Sequence, residues 1–378
     1  MKNVVIAGYR RSPFHIARKG RLTKVRPDDL VATVIKALVA ATNVDTDDVE
    51  DLILGCAVPE AEQGMNMARY VVFLSDLPIK TGGMTVNRWC GSSMQAIHMA
   101  AGNIQLGAGE AFICAGVESM TRVPIMGYNP LPNPGLAKSW PETYYSMGIT
   151  AEKVAEKYQV TREAQQDFAI TSHGKAAAAR EGGRFADEIV PIETPEGVVD
   201  QDGGIRPDTN QEILSGLKPA FDKDGTVTAG TSSPLTDGAS AVLVTSEDYA
   251  KEKGLEIIAR LKAIAGTGLA PEIMGMGPVE ATHKALARAG LEIGDIDVME
   301  LNEAFASQSI ACIQELGIDA AKVNLDGGAI ALGHPLGASG ARITGKAASN
   351  LKREGGKYAI ATMCIGGGQG IATVLEAV

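Results

Sequence analysis

The order of local patterns in the first half of this chain recurs in the second half, and that recurrence constrains the fold more than any single motif. In the first half, Lys36-Ala37-Leu38-Val39-Ala40 reads as helix and leads through residues 45–48 into the strand-like Asp51-Leu52-Ile53-Leu54-Gly55. In the second half, Lys284-Ala285-Leu286-Ala287-Arg288 leads through Gly294-Asp295 into Asp297-Val298-Met299-Glu300-Leu301. Val86-Asn87 is echoed by Val323-Asn324, and Ala111-Phe112-Ile113-Cys114-Ala115-Gly116 by Tyr358-Ala359-Ile360-Ala361-Thr362-Met363-Cys364. Each half alternates strands and helices, which predicts an α/β fold with mixed or parallel sheets. Between the halves the pattern changes. Pro124, Pro130, Pro132 and Pro134 predict a loop, a capped amphipathic helix is expected over 150–158 and a second over 161–180, and residues 191–225 are rich in Pro, Gly and Asp. Residues 121–237 therefore read as an inserted, mostly irregular domain. One half is expected at 1–120 with 238–258 and the other at 259–378.

Cys90 is the candidate nucleophile. It stands between the β-like Thr85-Val86 and an apolar helical pattern at Met94, Ile97 and Ala101. A thiol at a helix N-terminus meets free N–H groups and the positive end of the helix dipole, which favour the thiolate. Three further segments suit the same chemistry. Leu301-Asn302-Glu303-Ala304-Phe305 follows a strand. Gly327-Gly328 through Gly333-His334-Pro335 to Gly340 is a glycine-rich loop with one histidine that runs into a helix. Residues 359–370 form a buried strand ending in Cys364, followed by Gly366-Gly367-Gly368. That glycine run has the wrong spacing for a dinucleotide fingerprint.

With these motifs the chain resembles the thiolase family. Cys90-Gly91-Ser92, Asn302-Glu303-Ala304-Phe305, Gly333-His334-Pro335 and Cys364-Ile365-Gly366 match its four signatures in family order, nearly end to end. The resemblance implies a thiolase fold, with two similar α-β-α-β-α halves in a five-layered body and an inserted loop domain that binds CoA and shapes the acyl pocket. It implies that Cys90 becomes acylated, that His334 takes its proton, and that Cys364 is the second acid/base. It also implies two oxyanion holes. One combines His334 with a water held by Asn302, and the other uses the backbone N–H groups of Cys90 and Gly366. Glycine at 366 to 368 would let backbone approach substrate closely. Ser233, in Thr228-Ala229-Gly230-Thr231-Ser232-Ser233, is placed on the pantetheine arm. Met147 matches a pocket methionine, Met274 is expected in the same tunnel, and Phe305 packs against the pocket. Glu303 reads equally as an orienting or a structural carboxylate. His98 reads as a packed histidine, and Cys56, Cys114 and Cys312 as buried structural cysteines.

Substrate preference rests on fewer residues. Short-chain biosynthetic thiolases carry a His before the Met147 position, where this chain has Ser146, and its 122–145 loop is short. Cys90-Gly91-Ser92-Ser93-Met94-Gln95 and Thr231-Ser232-Ser233 resemble the degradative branch, which cleaves 3-ketoacyl-CoA in fatty-acid β-oxidation. A condensing acetoacetyl-CoA enzyme would use the same residues. A decarboxylating ketoacyl synthase would need two histidines, and a non-catalytic scaffold would be expected to have lost Cys90, His334 or Cys364.

The chain has 378 residues, with 45% hydrophobic and 21% charged, as in a globular protein. A net charge of −10 disfavours nucleic acid and anionic membrane, so an anionic CoA needs local cations or helix N-termini. Five cysteines without C-x-x-C fit a reducing compartment and disfavour thiol-redox function. No signal-like stretch precedes Val4 and no apolar run spans a membrane, so a cytoplasmic location is expected. CoA and acyl-CoA are expected as substrates, with no permanently bound cofactor and no metal. The expected assembly is a homodimer, with a tetramer as the alternative, and a β-oxidation hydratase/dehydrogenase subunit is a conceivable partner.

Overall fold

The computed structural model describes residues 2–378. Its first half runs β1 (Val4–Arg11), β2 (His15–Ile16), α1 (Pro27–Thr42), β3 (Val49–Gly55), α2 (Met67–Leu74), β4 (Gly82–Val86), α3 (Ser92–Leu106) and β5 (Ala111–Ser119). Helices α4 (Pro134–Ser139), α5 (Met147–Lys157), α6 (Arg162–Glu181) and α7 (Gln211–Ser215) precede β6 (Thr236–Ser246) and α8 (Glu247–Lys253). The second half runs β7 (Ala259–Gly268), α9 (Gly277–Ala289), β8 (Val298–Leu301), α10 (Ala306–Leu316), α11 (Ala329–Leu332), α12 (Leu336–Glu354), β9 (Tyr358–Ile365) and β10 (Gln369–Glu376).

The strands form one sheet in the order β4-β3-β5-β6-β1-β7-β10-β9-β8, with β2 beside β6. From the middle outward, β1-β6-β5-β3-β4 mirrors β7-β10-β9-β8, and Val323 pairs in parallel with Met299 where a partner for β4 belongs. The senses match too. β3 and β8 run parallel to β5 and β9, whereas β6 and β10 run antiparallel to those same two strands. The halves join where Val4–Ile6 of β1 pair antiparallel with Ala259–Leu261 of β7.

Side-chain alternation turns these strands into layers. Leu52 and Leu54 of β3 pack with α1 and α2, while Ile53 faces α3 and α12. In the second half, Met299 and Leu301 of β8 face α9 and α10, while Val298 faces the central helices. The order is α1/α2, first-half strands, α3/α12, second-half strands, α9/α10: the five-layered α/β body. Buried on two sides, β5 and β6 are apolar-rich rather than alternating with charge.

One helix start differs from expectation. α5 begins at Met147, because the Ser146 hydroxyl caps it by accepting from Ile149 N–H. Thr150 lies inside the helix and returns its hydroxyl to Met147 O at 2.7 Å. α6 starts as expected, with Thr161 accepting from Ala164 N–H. Among the described residues no helix is long and apolar enough to cross a membrane.

The central helix α12 is buried nearly all round, and its polar residues pair inside the protein. Arg342, Lys346 and Asn350, spaced by four, share one face. Arg342 donates to Glu300 at 3.0 Å and Asn350 to the same carboxylate at 3.2 Å. Lys346 bridges Glu188 and Asp326, each at 2.9 Å, and Arg11 joins Glu188 (2.8 Å) to Asp202 (2.7 and 2.9 Å). Burial pushes Asp326 up, but Arg353, Lys346 and Arg184 outweigh it and hold the carboxyl at about 2. A depressed carboxyl stabilises the fold above its ordinary pKa, and that contribution disappears as pH falls towards 2. Asp326→Ala, which leaves Lys346 with one carboxylate instead of two, is expected to lower stability at pH 7 by about 3–5 kcal/mol. The gap from wild type should narrow from about pH 4 downward. Urea midpoints across this pH range check both statements.

Candidate active site

The turn before α3 delivers Cys90. Asn87 Oδ1 accepts from Trp89 N–H at 2.8 Å, and Ser92 Oγ accepts from Arg88 N–H at 2.9 Å while donating to Trp89 O at 2.5 Å. These bonds hold Trp89 at φ +41°, a conformation a bulky residue adopts only when its surroundings impose it. The serine of Cys90-Gly91-Ser92 therefore braces the nucleophile turn. Cys90 lies two residues before α3 and is partly exposed at the residue level. Burial of its thiol pushes the pKa up to about 11, against the pull of the Gly366 and Cys90 backbone N–H groups. The N–H groups favour the thiolate as expected, but desolvation opposes them and the net shift is upward, which leaves a proton for a base to take.

His334 is two residues before α12, as Cys90 is before α3. Its ring nitrogens face Ser339 Oγ (Nδ1, 2.5 Å) and Asn302 Nδ2 (Nε2, 3.3 Å). Burial, with the charge of Arg342, lowers its pKa to about 3, so the imidazole is neutral at neutral pH. Asn302 is fully buried at the end of β8, and its Oδ1 has no hydrogen-bond partner. A buried amide oxygen left bare beside a histidine is a site for a water or a polar substrate atom.

Cys364 lies on β9 opposite Gly370 of β10. Burial raises its thiol well above the ordinary value, and the nearby Cys90 and Cys312 raise it further. Gly367 and Gly368, at φ +73° and +80°, make the turn into β10, a geometric reason for glycine besides the expected approach to substrate. A Cβ on Gly366 would lie 2.9 Å from the Trp89 ring and 3.4 Å from Met147 Sδ, so this loop, the nucleophile turn and α5 meet.

The expected pocket residues come together. Met274, Phe305, Ala304, Ala151, Val227 and Cys364 form one apolar cluster with Met147 packed against it. Ser233 donates both its N–H and its Oγ to Ala304 O at 3.0 Å, which ties the 228–233 segment to the Asn302 loop. Glu303 takes the structural role: it accepts from Ser172 (2.6 Å), Asn324 (2.8 Å) and Ile330 N–H (3.1 Å). His98 bonds Thr373 at 2.8 Å in the core.

Four contributors were not expected: Phe221, Ser339, Thr236 and Glu118. Phe221 stacks edge-on against Phe305, with centroids 5.8 Å apart and planes at 82°. Its signal was an aromatic in an otherwise polar Pro-Gly-Asp stretch. Glu118 is buried and accepts from Ala57 N–H (2.8 Å), Gln63 (2.7 Å) and Gly337 N–H (2.9 Å). Its place follows from the repeat. Gly55 pairs with Gly116 as Leu301 pairs with Thr362, so Glu118 is the counterpart of Cys364, and Cys56 of Asn302. One end of the duplicated body carries the thiol of Cys364 and the amide of Asn302. Its counterpart holds a carboxylate that binds the two halves together.

Residues 4–248 match the family model described as "Thiolase, N-terminal domain", and residues 255–377 match "Thiolase, C-terminal domain". The chain is 49% identical to the 3-ketoacyl-CoA thiolase of Bacillus subtilis (strain 168), with 100% of both chains covered. It is 49% identical to the 3-ketoacyl-CoA thiolase of Vibrio vulnificus (strain CMCP6), again over 100% of both. Its fold is similar to that of the human mitochondrial 3-ketoacyl-CoA thiolase crystallised in complex with CoA. The TM-score is 0.92 at 38% identity, over 100% of this chain and 98% of that one.

Proposed function

We propose that this chain, which belongs to the thiolase family, cleaves 3-ketoacyl-CoA with CoA into acetyl-CoA and a shortened acyl-CoA through an acyl-Cys90 intermediate. The observation that carries the mechanism is the bare Asn302 Oδ1 beside a neutral His334, on a loop whose Ala304 packs with Cys364. His334 takes the Cys90 proton and the sulfur attacks the 3-keto carbon. The bond between C2 and C3 breaks, and its electron pair passes to the acetyl-CoA enolate. Cys364, a neutral thiol, gives its proton to C2, and acetyl-CoA leaves. The Cys364 thiolate then takes the thiol proton of CoA, whose sulfur attacks the Cys90 thioester. Cys90 leaves and recovers its proton from His334.

Two oxyanions need donors. The N–H groups of Cys90 and Gly366, which already act on the Cys90 sulfur, suit the carbonyl attacked by Cys90. A water on Asn302, together with protonated His334, suits the thioester oxygen of the enolate. Ser233, Met147, Met274 and Phe305 line the way for the pantetheine arm and the acyl chain, within a loop domain of residues 121–237. The halves are 1–120 with 238–258 and 259–378. Ser146, which caps α5, stands where short-chain biosynthetic thiolases carry a His, so the position offers no imidazole to a short-chain pocket. That supports the degradative role in fatty-acid β-oxidation.

The assembly we propose is a two-fold homodimer of a cytoplasmic enzyme. β4 is an edge strand, and Met65, Tyr70, Phe73, Leu74 and Ile79 on or beside α2 expose large apolar surface next to it. A sedimentation profile containing monomer alone would overturn this assembly. For the chemistry, intact mass after mixing with 3-ketooctanoyl-CoA without free CoA should show a hexanoyl adduct, absent in Cys90→Ala. Cys364→Ala should still accept an acyl group from acyl-CoA but lose carbon–carbon cleavage by about 10²–10⁴-fold. An acetyl adduct from acetoacetyl-CoA alone would assign a short-chain enzyme. No adduct from either substrate would overturn the proposed reaction.

A further inference from the structure

Which ring nitrogen of His334 carries the proton decides whether it can serve as a base, because only the bare nitrogen accepts one. Ser339 stands one turn into α12 with its hydroxyl 2.5 Å from His334 Nδ1 and 2.9 Å from Pro335 O. Both side chains are buried, so no bulk water competes for either bond. A carbonyl oxygen only accepts, so the hydroxyl proton directed at Pro335 O leaves an Oγ lone pair facing Nδ1. Nδ1 then carries the hydrogen and Nε2 is bare. Asn302 completes the pattern from the other side: its Nδ2 donates towards Nε2 at 3.3 Å and leaves Oδ1 free.

The opposite arrangement turns the serine proton to Nδ1 and the amide oxygen to Nε2–H. It leaves Nδ1 as the ring's one bare nitrogen, already taken up by the serine proton, and Nε2 unable to accept. It also fails once the ring is protonated, since an imidazolium offers two N–H groups and the serine would have to turn away. In the first arrangement the Nδ1–H bond to Ser339 is the same before and after Nε2 takes a proton, so no hydroxyl reorients during the transfer.

We propose that Ser339 is a positioning residue that locks His334 in the Nδ1–H tautomer and so reserves Nε2 as the base for Cys90. This rests on the thiolase reading above, although the tautomer can be measured without any turnover.

The test uses full-length protein labelled with ¹⁵N-histidine, with the His334 signals assigned by their absence in His334→Asn. In wild type, Nδ1 should show the protonated and Nε2 the unprotonated shift. In Ser339→Ala the two signals should move towards exchange between tautomers. Acylation of Cys90 should slow about tenfold, the size expected for one buried hydrogen bond, with KM nearly unchanged. Ser339→Thr, which keeps the hydroxyl, should restore the wild-type tautomer and most of the rate. A wild-type ring protonated on Nε2 would overturn the proposal. So would a Ser339→Ala protein that keeps the wild-type tautomer, whether or not its rate falls, since the serine would then have only a packing role. If no acyl group ever reaches Cys90, the reaction assigned above fails while the tautomer result still stands or falls by itself.

Discussion

Everything at the site depends on a seam of hydrogen bonds that ties the first turns of α12 to the opposite half of the protein. His334 N–H donates to Thr236 Oγ1 on β6 at 3.0 Å, and Gly337 N–H to Glu118 on β5 at 2.9 Å. Ser240 on β6 donates to Ala338 O at 2.6 Å, and Ala341 N–H donates to Ser93 on α3 at 2.8 Å. The approach is close enough that a Cβ on Gly337 would lie 2.6 Å from Val117 O and 2.8 Å from Gly55 O, both backbone atoms that cannot yield. The proposed site draws on both halves: Cys90 lies before α3, and His334, Asn302 and Cys364 lie around α12, β8 and β9. The seam fixes the start of α12 against the first half, and the proposed reaction needs such fixed geometry.

The same burial sets the electrostatics. A dry site penalises charge, so Cys90 rises to about 11 and His334 falls to about 3. Burial thus favours an uncharged thiol at Cys90 and an uncharged imidazole at His334. The backbone N–H groups of Cys90 and Gly366 oppose that rise at the sulfur. Below the site, α12 is anchored by its own ion pairs. Glu300 is pushed by burial to about 7 although Arg342 pulls it down, the mark of a carboxyl that is paired but poorly solvated. Rigidity of α12 therefore comes from buried charge on one face and from the seam at its N-terminus.

Much of this was legible in the chain. The repeated patterns marked the two halves because strand alternation and helix periodicity are local properties. The four motifs stood out because cysteine, histidine and clustered glycine are rare in such positions. What stayed hidden depends on distant neighbours. Arg342, Lys346 and Asn350 drew no expectation, because their partners Glu300, Glu188 and Asp326 come from three separate segments. Glu118 looks like an ordinary strand-end carboxylate until the register places it opposite the start of α12. At Cys90 the helix terminus is visible in sequence and the opposing desolvation is not. Thr150 attracted the helix cap because it precedes an amphipathic run, whereas Ser146 is the residue whose hydroxyl reaches an unpaired N–H.

The most direct test of the seam is the rate of Cys90 acylation in Thr236→Val. This change keeps the shape of the side chain and removes the oxygen that accepts from His334 N–H. If the seam sets the base on the nucleophile, acylation should slow about tenfold or more while the protein stays folded with an unchanged far-UV spectrum. An acylation rate equal to wild type in the folded variant would contradict the account.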